Sequence, residues 1–162
     1  MPSSVVVNTD LVRILTTGEG LELFTIAAAY ETAEVMIDNI SQENGAGKAY
    51  KRNGRVHVAS APGQYPAKDS GKLKNSIFIK QGSSPTGSDL VIDSNYALDL
   101  EFGTSKMRSR PFIIRSVNEA LSTKLPDIFK RFTNMIDNSP GLFNSLLRNY
   151  RARRARRRSR TP

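Results

Sequence analysis

At 162 residues, with 38% hydrophobic content and a formal charge of +9, the chain is long enough for one folded domain and is strongly basic. It has no cysteine, which excludes disulfides and thiolate metal sites, and no apolar run near the ~20 residues a membrane span requires. The first ten residues lack the basic start and apolar core of a secretory leader, so a cytoplasm, or a particle assembled there, is the expected setting.

Ser3–Asn8 contains the β-branched run Val5-Val6-Val7, an edge strand or a loose arm, and Asn8 or Thr9 is placed to cap a short helix over Asp10–Thr17. Gly18-Glu19-Gly20 should interrupt it. From Leu21 to Ile40 the apolar residues Leu23, Ile26, Ala27, Tyr30, Ala33, Ile37 and Ile40 fall on one helical stripe. Phe24, Ala28, Val35 and Met36 widen that stripe, which predicts more than one packing neighbour. After Asn44–Gly47 closes the helix, Lys48–Arg52 and Arg55–Ala59 flank Asn53-Gly54. An Asn-Gly pair between two extended segments is a strong hairpin signal, since both residues tolerate φ > 0. The ribbon is basic and poor in large apolar residues, so it should project, against nucleic acid, solvent or a partner.

Ser60–Lys72 is rich in Pro, Gly and Ala. A loop this long in a small domain is functional or mobile, and here it is expected to lie across a neighbouring subunit, with Ser70 capping the turn into Leu73. Asn75–Gln81 and Leu90–Asp93 read as strands. Tyr96, Leu98, Leu100 and Phe102 alternate with Ala97, Asp99 and Glu101, the period of a half-buried strand; with the previous two it would complete a three-stranded antiparallel meander. A single helical turn over Tyr96–Leu98 would also fit. Gly103 breaks this run, Ser105–Arg110 reads as an exposed basic loop, and Pro111 suits the first turn of a helix. Tyr96, Phe102, Gly103, Thr104, Pro111 and Phe112 thus form a structural joint. The helical period then continues from Ile113 to Ile136, with a break expected near Thr123–Leu125, because Pro126 cannot donate to the carbonyl four residues back. Ser139-Pro140-Gly141 stops it. Leu142, Phe143, Leu146 and Leu147 return to helical spacing.

Residues 1–141 therefore read as one α+β structural domain: an N-terminal arm over 1–18, a long helix, a small antiparallel sheet with a projecting ribbon and loop over 48–72, and a C-terminal helix on the sheet. Residues 142–162 form a tail. Arg148, Arg151, Arg153, Arg154, Arg156, Arg157, Arg158 and Arg160 stand there without an acid among them, and without these eight the formal charge of +9 falls to +1. Guanidinium forks match phosphate and carboxylate, which leaves duplex DNA, bound without sequence preference, and an acidic protein face both open as partners.

Catalytic chemistry has little to work with. His57 is the sole histidine, with no acid near it in sequence, and reads as a surface or packing residue. Asp99 and Glu101 would share one strand face, but Lys106, Arg108, Arg110 and Arg115 nearby favour charge pairing or subunit contacts over a paired-carboxylate site. Neither Gly18-Glu19-Gly20 nor Gly45-Ala46-Gly47 has the strand–loop–helix context of a phosphate loop. No metal, cofactor or enzymatic activity is expected.

Two blocks carry a family resemblance. One is Tyr96-Ala97, Glu101-Phe102-Gly103-Thr104 and Arg110-Pro111-Phe112; the other is His57–Gly63, Pro66-Ala67 and Asp69–Leu73, ahead of Asn75-Ser76-Ile77. In this order, over roughly residues 47–117, the chain resembles the tail-completion, neck or head–tail joining proteins of tailed bacteriophages. Ser70 and Gln64 stand where that family usually has Thr and often has Glu. The resemblance implies a structural virion protein, made in the host cytoplasm, that closes into a ring of six copies between tail tube and head connector. It also implies partners in the neighbouring connector and tail proteins, and subunit contacts through Tyr50, Lys51, Arg52, His57, Pro62, Tyr65, Pro66, Glu101 and Arg110. The alternative is a nucleic-acid-binding accessory protein acting through its arginines.

Overall fold

The computed structural model describes residues 18–42, 45–52, 54–81 and 87–138, with the single positions 141, 145, 148, 149 and 152 beyond them. The arm and short helix expected before residue 18, and the apolar positions Leu142, Phe143, Leu146 and Leu147, lie outside that set. Along the chain run α1 (Gly18–Gln42), β1 (Ala49–Arg52), β2 (Arg55–Val58), α2 (Lys72–Asn75), β3 (Ile77–Gln81), β4 (Ser88–Ile92), α3 (Ala97–Phe102), α4 (Ile113–Thr123) and α5 (Leu125–Asn138). The architecture is α+β, with a long N-terminal helix, two small antiparallel hairpins, and a bent C-terminal helix pair packed on α1 and the sheet.

Helix α1 includes Gly18-Glu19-Gly20 rather than starting after it. Two glycines cost about 1 kcal/mol each against Ala, which a helix packed along its length can absorb, and Gly20 is itself buried. The helix packs on α4, α5, β3 and β4, as its wide apolar stripe predicts. Ala33, Val35, Met36 and Ile40 are buried, whereas Tyr30, assigned to the stripe, is 61% exposed and Glu22 is buried in its stead. Phe24 meets Phe132 of α5 edge to face at 5.7 Å. Glu31 lies 3.8 Å from the Lys124 ammonium and 3.7 Å from the Arg131 guanidinium; exposed pairs of this kind contribute little.

The ribbon β1–β2 has the register expected of an Asn-Gly turn, from Ala49 opposite Val58 to Arg52 opposite Arg55, with Gly54 at φ +76°. Strands β3 and β4 pair from Ile77 opposite Ile92 to Gln81 opposite Ser88. No third strand joins them: the expected meander is a hairpin, because Tyr96–Phe102 is helical. One core unites the parts. Ala33, Met36 and Ile40 of α1 meet Leu73, Ile77, Ala97 and Phe112, and Phe112, fully buried, stabilises this cluster by about 2–3 kcal/mol through the area it removes from water. The break between α4 and α5 falls at Lys124, as Pro126 requires. The helical bonds Lys124 N to Ala120 O and Ile128 N to Lys124 O, both 2.9 Å, persist on either side, so the pair bends without separating.

Candidate functional site

Between Leu100 and Ile114 the chain leaves one helix, doubles back and enters another. Helix α3 buries Ala97 and Glu101, four residues apart, and exposes Leu98 and Phe102 at 66% and 71%. The sequence alternation therefore pointed to the wrong face as well as the wrong period. Gly103 takes φ 79°, ψ 178°, a conformation open essentially to glycine alone, and a Cβ there would stand 2.8 Å from Met107 O and Ser109 N. Thr104 then closes a tight turn. Its N–H donates to Met107 O at 2.7 Å, and its Oγ1 accepts from the N–H groups of Lys106 and Met107 at 3.2 and 3.1 Å. Arg110 N donates to Leu100 O at 2.6 Å, which brings Pro111 and Phe112 back beside α3. Pro111 precedes the helix rather than opening it, since Phe112 is the cap residue of α4.

The purpose of this return is visible at Glu101, which is only 4% exposed. Its Oε2 accepts from Phe112 N at 2.7 Å and Ile113 N at 2.8 Å, and its Oε1 from Ile114 N at 3.1 Å. The first N–H groups of a helix have no partner inside it, and a carboxylate there also meets the positive end of the helix dipole. The Glu101 carboxylate is thus engaged within its own chain, at the start of α4, and does not pair with a second carboxylate. Asp99, two residues earlier on a helix, sits exposed on the opposite side.

The loop over 60–72 lies along its own α4 instead of standing free. Gly63 N donates to Ser109 O at 3.0 Å, and the Arg115 guanidinium donates to Gly63 O at 2.6 Å while lying 4.5 Å above the Tyr65 ring. Tyr65 Oη donates to Glu119 at 3.3 Å, and Asn39 of α1 donates to the same carboxylate at 2.8 Å. Burial raises the Tyr65 phenol above its ordinary value of 10.0, with Ser116 and Arg115 pulling the other way. Arg110 donates through Nε and Nη2 to Ser60 O, at 3.1 and 3.0 Å. Of the residues expected to meet a neighbour, Tyr65, Pro66, Glu101 and Arg110 are therefore engaged within the fold, and Pro62 is exposed. Gly71 in a left-handed conformation, not Ser70, precedes α2, and no side chain caps it.

A cleft of about 480 Å³ opens between the ribbon, this loop, α2 and the joint. Ile40, Leu73, Leu100 and Met107 form its apolar floor, and Tyr50, His57, Pro66, Tyr96 and Arg110 its walls. Lys48, Lys68, Lys72 and Lys74 stand around it, with Asp69 the sole acid. That acid lies 3.8 Å from His57 Nδ1, a partner the sequence order did not reveal, and the His57 ring is edge-on to Tyr50 at 5.1 Å. Lys51 is exposed; Arg52 belongs to β1 by its backbone, its side chain lying outside the described residues. Among the described residues no group of three His, Asp or Glu could hold a metal ion. The cleft is equipped to bind an apolar group flanked by negative charge; Tyr50, His57, Pro66 and Arg110, expected from the sequence to meet a neighbour, all line it, and the lysines between 68 and 74 were a further trace. Arg148 is exposed, and the other seven tail arginines lie outside the described residues.

Comparison with protein-family models, with curated proteins and with solved structures finds no match to the chain.

Proposed function

We propose that the chain is a structural protein of a phage neck or tail end, closing into a ring that joins tail tube to head connector around the DNA channel. One observation carries the reading beyond the sequence resemblance: the two blocks that bear it pack on each other. Ser60 and Gly63 of the first are tied to Arg110 of the second and to Ser109 and Arg115 on either side of it, and both blocks line the cleft. The unit so formed offers an apolar, lysine-edged binding surface, which suits assembly. Six copies is the number the resemblance implies. Omitting the chain from particle assembly tests the reading: heads and tails should accumulate unjoined, and joined particles in its absence would overturn it.

The arginine-rich end supports a second reading, an accessory protein that binds nucleic acid. Its affinity for duplex DNA would then fall with salt by a logarithmic slope of about −0.9 per phosphate contacted, without sequence preference. Truncation after Asn149 separates the two readings. A chain so shortened that still joins heads to tails leaves the arginines secondary; loss of joining together with loss of DNA binding favours the accessory role.

A further inference from the structure

The cleft has four lysines at its edge, and none of their ammonium groups is in an ion pair or hydrogen bond with a described residue. An apolar floor ringed by free cations calls for a complementary shape: a large apolar group with carboxylates beside it. Phosphate alone would satisfy the lysines and leave the floor wet, so a nucleic-acid backbone fits it poorly. The chain's own arginine-rich end is repelled by it.

The complement exists elsewhere on the same chain. Tyr30, Glu34 and Asp38 follow one another at intervals of four along α1, so they form a single stripe about 12 Å long. Tyr30 is 61% exposed, an unusual position for an aromatic ring in mid-helix, and Glu34 and Asp38 are exposed beside it. Neither carboxylate has a partner among the described residues, in contrast to Glu31 next to them, which is paired with Lys124 and Arg131. The stripe cannot reach the cleft of its own chain, because Ile40, two residues on from Asp38 and so across the helix from it, is what lines the floor.

We infer that the cleft receives the Tyr30–Glu34–Asp38 stripe of a second copy of this chain, with the Tyr30 ring on the apolar floor and the two carboxylates against the lysines. This rests on the ring reading above and supplies its interface. Donor and acceptor are different surfaces of one subunit, so the contact is heterologous, the kind that propagates around a closed ring.

Charge reversal tests it. Glu34→Lys/Asp38→Lys reverses the stripe, and Lys48→Glu/Lys68→Glu/Lys72→Glu/Lys74→Glu reverses the cleft, since two substitutions would only neutralise the four lysines. Each variant alone then sets like charges against each other and should associate at least roughly tenfold more weakly than the parent chain in sedimentation velocity. Mixed in equal amounts, the two match wherever one variant meets the other and should assemble again in alternation, which unfolded subunits could not do. Rings formed by each variant alone would overturn the inference and leave the ring reading standing, as would a mixture that stays dissociated while the parent forms rings. A parent chain that is monomeric at every concentration overturns both.

Discussion

In the joint, Glu101 is buried with both its oxygens bonded to the start of α4, and Phe112 beside it is wholly enclosed. In the ribbon, across the same cleft, Tyr50, Val56 and Val58 are exposed on a two-stranded hairpin. One region is over-determined by long-range bonds; the other holds its shape by local pairing and presents side chains outward. The difference teaches where stability and recognition are separated in this chain. Changes in the joint should unfold it, and changes in the ribbon should alter what it meets.

The largest effect should come from Glu101→Ala. It leaves two or three helix N–H groups without an acceptor in a region closed to water, and charge-assisted bonds of this kind contribute about 1.5–3 kcal/mol each, not additively. A loss of roughly 3–5 kcal/mol in chemical denaturation of the isolated chain is expected. Unchanged stability combined with failed assembly would return Glu101 to the subunit contacts in which its sequence context places it. Gly103→Val comes next, at roughly 1–3 kcal/mol for backbone strain, because its φ is positive and its Cβ would strike Met107 and Ser109. Equal thermal midpoints for variant and parent would mean the return loop re-forms another way.

Much of this was readable from the chain, and the failure is instructive. The wide stripe of α1, the Asn53-Gly54 turn and the break at Pro126 are local: propensity and spacing over a few residues decide them. Tyr96–Phe102 was misread because alternating large apolar residues satisfy a strand period, while the buried side of the helix is made of Ala97 and Glu101. Nothing within seven residues says that Glu101 has a partner. Its acceptors' donors are 11–13 residues on, reached only after Gly103 and Thr104 reverse the chain. The Glu119 and Arg115 contacts that hold Tyr65 span 54 and roughly 50 residues of sequence, and His57–Asp69 is hidden in the same way. The cleft could not be seen because it is made by packing.

Tyr65 sharpens the comparison more gently. A phenol whose pKa is raised on folding favours the native state below the unfolded value and loses that contribution as pH rises through the folded one. Stability should thus decline above about pH 10, and Tyr65→Phe should flatten that decline, as read from thermal midpoints across an alkaline series. An identical decline in the variant would assign it to other groups. The ribbon should respond least. Val56, 65% exposed, can become Thr with a change within about 0.5 kcal/mol, and a larger loss would mean that the ribbon belongs to the core.

The central claim is that this chain assembles with itself to make a structural ring. Native mass spectrometry of the purified full-length protein, free of nucleic acid, measures that directly. The account expects a closed species of six chains as the largest stable assembly. A protein that stays monomeric until DNA is added would contradict it and make the arginine-rich end the principal functional part.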